Sequence, residues 1–151
     1  MNQMLIEEVV RDRGSDELFT VPASATIGEA VALMAEREIG AVLVMTEDGL
    51  VGGIFTERDV LMRVVHPGRD PKATPMSLVM TRDVCFVSPG TTIVAALSLM
   101  HVQHLRHLLV IDGPRVYGLV SMRDLVHQLV RQGAGRFEAA VRATTSQTRT
   151  G

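Results

Sequence analysis

Two heptapeptides carry the side chains best suited to chemistry in this sequence. Gly53-Ile54-Phe55-Thr56-Glu57-Arg58-Asp59 and Gly118-Leu119-Val120-Ser121-Met122-Arg123-Asp124 share a glycine, two apolar residues, a hydroxyl, two variable positions and an aspartate. In each, an apolar run that reads as a strand ends on the hydroxyl. A helical pattern then opens at Asp59-Val60-Leu61 or Asp124-Leu125-Val126, so Thr56 and Ser121 stand where an N-cap is expected. A helix start exposes unpaired backbone N–H groups and the positive end of the helix dipole, which suits an anion such as phosphate. A carboxylate three residues further on can accept two hydrogen bonds from a sugar diol. The same spacing also serves a plain structural end, because hydroxyl-x-x-acid is how an ordinary helix caps itself. The duplication shifts the balance towards nucleotide binding.

Other reactive groups form no such constellation. His101, His104 and His107 are spaced three apart, but a helix over 92–104 must end before a strand near Leu108, which takes His107 off the helical face and argues against a metal site. Cys85, the single cysteine, excludes an intrachain disulfide and a CxxC metal site and reads as a small core residue. There is no Gly-x-Ser-x-Gly elbow and no Walker loop, so no catalytic role is assigned. With 15 basic and 17 acidic residues and a net charge of −2, the footprint of a nucleic-acid binder is missing, and 3% aromatic content leaves few stacking platforms for single strands. The first eight residues show no signal pattern, and no apolar run reaches the ~20 residues of a membrane span, so a soluble, cytoplasmic protein is expected.

The elements that must position the two heptapeptides read as follows. Met4 to Arg13 forms a short amphipathic helix outside the repeat, within an N-terminal region 1–17. Leu18 to Val21 is a strand, Thr26 with Glu29 forms a capping box ahead of a helix ending at Gly40, Ala41 to Met45 and Leu50 to Phe55 are strands joined by a turn, and a helix over 58–65 stops at His66-Pro67-Gly68. Residues 68–78 read as a linker. The second unit, 79–131, repeats the first at an offset of 66 (92 − 26) up to the strand Leu108–Ile111 and 65 (124 − 59) after it, so its hairpin is one residue shorter. Residues 132–151 read as a mobile tail with a short helical turn around Glu138 to Val141.

A β-α-β-β-α unit written twice, each closing on one of the heptapeptides, resembles the CBS domain family, named for cystathionine β-synthase. Ile39-Gly40-Ala41-Val42-Leu43-Val44, Val79-Met80-Thr81-Arg82-Asp83-Val84 and Leu105-Arg106-His107-Leu108-Leu109-Val110 look like further signatures of a CBS pair, and the match runs from about Leu18 to Val130. Leu109 departs from the pattern where the family often has proline. The resemblance implies an α/β (α+β) fold of two tandem repeats packed as a pseudo-two-fold pair, with sheets face to face and two clefts that commonly hold adenine nucleotides. It places Thr56 and Ser121 at the phosphate and Asp59 and Asp124 at the ribose. Phe19, Val21, Ile39, Ala41 and Ile54 would wall the base on the first side, and Val84, Phe86, Val87, His107 and Leu119 on the second, with Thr81 a further contact; such apolar positions serve a core equally well.

The leading expectation is therefore a stand-alone sensor of AMP, ADP or ATP, with NAD or S-adenosylmethionine as further candidates and no catalytic cofactor. An unidentified regulated protein would receive its signal. The alternative is an interaction module of the same fold with an empty site. The clefts are expected to be unequal, because Arg106-His107 replaces Gly40-Ala41 and Met122 replaces Glu57, favouring phosphate beside Ser121, while Arg58 or Arg123 could supply charge at either site. Val60, Leu61, Val64, Leu125, Val126 and Leu129 are more apolar surface than so small a fold can bury, which predicts a homodimer.

Overall fold

A computed structural model of the chain describes residues 3–13 and 18–133. The helical turn expected around Glu138 to Val141 lies outside them. The first half consists of β1 (Thr20–Pro22), α2 (Ile27–Arg37), β2 (Ala41–Met45), β3 (Val51–Thr56) and α3 (Glu57–Asp59), which runs directly into a π-helical segment, Val60–Val65. The second consists of β4 (Phe86–Val87), α4 (Ile93–Gln103), β5 (His107–Asp112), β6 (Arg115–Ser121) and α5 (Met122–Gln132). A helix α1 (Ile6–Asp12) precedes both, and a 3-10 turn (Met76–Leu78) lies between them. Each half has one three-stranded sheet, ordered β1-β2-β3 or β4-β5-β6, with the first pair parallel and the second antiparallel. No helix among the described residues is long and apolar enough to cross a membrane.

The duplication reaches local detail. Thr26 and Thr92 cap α2 and α4 through bonds from Glu29 N (3.2 Å) and Ala95 N (3.1 Å), and both helices bury one stripe: Ile27, Ala30 and Met34, or Ile93, Ala96 and Met100. Register shifts fall at Val44/Met45 and at Val110/Ile111. Both helices end on a residue in the left-handed region, Glu38 (φ +54°) and His104 (φ +55°). Helix α2 thus stops earlier than the Gly40 the sequence suggested. Gly40 serves packing instead, since a Cβ there would sit 3.2 Å from Glu57 Oε1 and 3.3 Å from the His107 ring. His104 caps α4 and His107 opens β5, so His101, His104 and His107 share no face.

Three further parts of the sequence reading change. The Met4–Arg13 segment is not outside the repeat, and residues 74–80 are more than a linker. Ile93 N donates to Met4 O (2.8 Å) and Ile6 N to Thr91 O (2.9 Å), while Ile27 N donates to Thr74 O (3.0 Å) and Met76 N to Ala25 O (2.8 Å). Each half is closed by the segment that precedes the other half. Accordingly Ile6 and Val9 are buried in the second core with Ile93, Met100, Leu108 and Leu125, whereas Met76, Val79 and Met80 are buried in the first with Ile27, Val42, Val44 and Phe55. The third difference is the widened helix at Val60–Val65, where His66 N reaches back to Leu61 O at 3.0 Å. In that segment Val64 stays buried while Arg63 donates to Val79 O (3.1 Å) and Met80 O (3.2 Å) of the crossing segment.

Candidate functional site

The start of α5 opens onto a cleft of about 820 Å³ between the halves. Strands β2 and β6 touch across the interface, so the central strand of the first sheet meets the strand of the second that leads into the β6–α5 junction. Ser121, Arg123 and Asp124 line the cleft at that junction, Arg106, just before β5, lines it with His107 and Leu119 of β5 and β6, and Phe19, Ile39, Ala41 and Leu43 close it from the first half. The apolar walls expected beside Thr56 and Asp59 therefore include three residues, Phe19, Ile39 and Ala41, that face Ser121 and Asp124 instead. Packing sheet on sheet puts the base-side wall of one half opposite the phosphate end of the other.

The remaining sequence candidates lie elsewhere. Val21 and Val87 are buried in the two cores. Ile54 and Thr81 exchange backbone hydrogen bonds of 2.9 Å in both directions, making Thr81 an extra edge to β3. Phe86 points away, 59% exposed, and Thr56, Arg58, Asp59 and Val84 do not line the cleft. Cys85 is half-buried against the second core, and Leu109 is buried within β5, paired with Phe86.

Both hydroxyl–aspartate pairs form capping boxes. Asp59 Oδ2 accepts from Thr56 N (3.0 Å) and Thr56 Oγ1 (3.2 Å), while Asp124 Oδ2 accepts from Ser121 N (2.8 Å) and Ser121 Oγ from Asp124 N (3.0 Å). What distinguishes them is the rest of each carboxylate. Asp59 Oδ1 faces Arg63 Nε at 3.5 Å, and its side chain is 12% exposed. The Asp124 side chain is 41% exposed, and its Oδ1 has no hydrogen-bond partner among the described residues. One carboxylate is consumed by its own helix, and the other keeps an oxygen free to accept from a diol.

The charges in the cleft are mixed. Arg13, Arg106 and Arg123 line it together with Glu38, Glu57 and Asp124. Glu57 is a correction to the expected inequality: its carboxylate lies against Gly40 and His107, in the Ser121 cleft, where it opposes the cations instead of weakening the first site. Burial pushes the His107 imidazole below its ordinary value of 6.5; Asp124 and Glu57 pull it up, and Arg106 adds to the lowering. Arg13 is one of the lining residues that the sequence reading missed, with Leu18, Glu38 and Leu43. It reaches from the end of α1 to donate to Leu119 O and stands 3.7 Å from Asp124 Oδ2. The signal was present as a second offset of 70, which aligns Ile6 and Val9 with Met76 and Val79 (76 − 6, 79 − 9) and brings the N-terminal segment into the repeat.

A fold of two such units, crossed at their leading segments and enclosing a cleft at a Ser-x-x-Asp helix start, defines a tandem pair of small α/β modules. The CBS domain family model matches residues 6–66 and 77–131, and the chain belongs to the CBS domain family. The CBS domain-containing protein YhcV of Bacillus subtilis is 34% identical over 127 residues, 83% of this chain and 89% of that protein. A CBS-domain protein structure from Burkholderia ambifaria, 33% identical, superposes with a TM-score of 0.81 over 85% of this chain and 95% of its own. A CBS domain protein from Pyrobaculum aerophilum, solved in complex with AMP, shares the fold at 22% identity and a TM-score of 0.70, covering 80% of this chain and 89% of its own.

Proposed function

We propose that this chain is a regulatory module that binds an adenine nucleotide in the cleft between its halves and signals by a change in packing or partner surface. The observation that carries this reading is the half-exposed Asp124 carboxylate. It is fixed by the Ser121 capping box at a helix start, and it opens onto a cleft with apolar walls on one side and Arg106 and Arg123 on the other. A vicinal diol, a flat apolar base and a phosphate each find a chemical complement there. The AMP complex of a similar fold supports the choice of ligand class. The cleft holds the cations and carboxylates of a binding site, and the reading assigns none of them a catalytic task. Thermal unfolding with AMP, ADP, ATP, NAD and S-adenosylmethionine tests the proposal. A true ligand at 100 times its Kd should stabilise the fold by about 2.7 kcal/mol. Absence of a shift with all five would favour an interaction module with an empty cleft.

A further inference from the structure

Arg13 belongs to no motif, yet it occupies the one carboxylate on which the binding reading rests. Its guanidinium donates to Leu119 O and pairs with Asp124 Oδ2 at 3.7 Å, too long for a hydrogen bond and half open to solvent. The first half is built differently. There the cation beside the aspartate is Arg63, one turn along the same helix and fixed by two carbonyls. The equivalent position in the second half is Gln128 (63 + 65), which turns to α1 instead, its Nε2 donating to Asp12 Oδ2 at 2.8 Å. Replacing arginine by glutamine there leaves Asp124 without a counter-ion in its own helix and hands that role to the N-terminal segment. Gly118, at φ +118°, lies beside this contact, and a Cβ there would stand 3.0 Å from Leu18 Cδ2.

We propose that Arg13 is a ligand-displaced counter-ion of Asp124, so that occupancy of the cleft is read out by the end of α1. This rests on the binding of a ribose diol at Asp124. A diol that uses both carboxylate oxygens must enter the space the guanidinium holds, because Oδ2 already accepts from Ser121 N. The body of α1 stays docked through Ile6, Val9 and the Asp12–Gln128 bond, and the released part is its C-cap, Arg13. The apo pair thus competes with the ligand and marks the empty state.

Calorimetry with AMP and amide hydrogen exchange over residues 5–13 test this on the full chain and on Arg13→Ala and Arg13→Gln. The second variant keeps a donor for Leu119 O but no charge. Expected are AMP-accelerated exchange at the end of α1 in the wild type, and AMP binding roughly two- to fivefold tighter in both variants, the range of a partly exposed ion pair. Exchange in the variants should be fast from the start and indifferent to AMP. Wild-type binding with unchanged or weaker binding in the variants, or with α1 exchange unmoved by AMP, overturns the role of Arg13 and leaves the binding reading standing. No binding to any of the three proteins overturns both.

Discussion

Asp59 and Asp124 occupy the same place in the repeat but carry different loads. Asp124→Ala removes the free acceptor in the cleft, and with it charge-assisted bonds of about 1.5–3 kcal/mol. We expect at least a tenfold loss of nucleotide affinity by calorimetry, with a smaller effect on stability. Asp59→Ala removes a cap and strands Arg63, so it should lower stability by about 1–3 kcal/mol in urea titration and leave affinity within about threefold. Affinity lost through Asp59 and kept through Asp124 would reverse the assignment of the sites. His107 gives a second test. Because burial holds its folded pKa below 6.5, the folded state binds this proton less readily than the unfolded chain. The stability it permits is therefore present above pH 6.5 and is lost as pH falls below that value. His107→Gln should flatten the decline in urea midpoint between about pH 7 and pH 5. An unchanged profile would remove His107 as its cause.

At the scale of elements, the crossed segments supply the clearest consequence. Read as a linker, Met76 would tolerate truncation; fully buried in the first core, it should not. Met76→Ala is expected to cost about 2–5 kcal/mol by chemical denaturation, and a cost below about 0.5 kcal/mol would contradict the packing. Gly53→Ala is expected to cost about 1–3 kcal/mol, because the added Cβ would meet Thr81 O at 2.7 Å and that carbonyl is bound to Ile54 N. These elements also show what the sequence makes legible. The strands, both Thr caps and the hydroxyl–aspartate starts were readable because each is local: periodicity and capping act within a few residues. The exchange of leading segments was not, since Met4 meets Ile93 across most of the chain and no local pattern encodes that distance. The site was half legible for the same reason. Ser121 and Asp124 announce themselves within one turn, whereas Phe19, Ile39 and Arg13 reach their cleft only through the packing of the two halves. The end of α2 misled because glycine is the commonest residue in the left-handed cap, and here Glu38 takes it.

For the whole molecule, the unsettled quantity is the surface left after both cores are filled. Of the six residues that suggested association, Val64 and Leu125 are buried and Val60 and Leu129 pack half-buried against the cores. Leu61 (59% exposed) and Val126 (43%) remain, joined by Met62 (53%) and Val65 (66%) on the widened turn after α3. Burying the exposed half of four such side chains on each of two copies would yield about 6–12 kcal/mol at ~1.5–3 kcal/mol per full side chain. Association costs about 4–15 kcal/mol in lost freedom, so the surplus must also draw on the polar contacts around these helices. We expect a homodimer that persists at micromolar concentration, giving twice the 16.4 kDa chain mass by light scattering. Leu61→Glu with Val65→Glu should shift it to monomer without unfolding, because both side chains lie outside the cores. A wild-type particle of 16.4 kDa at micromolar concentration would exclude this interface. A dimer indifferent to the double substitution would move the interface to the exposed face of α4, where Val94 and Val102 stand 69% and 65% exposed.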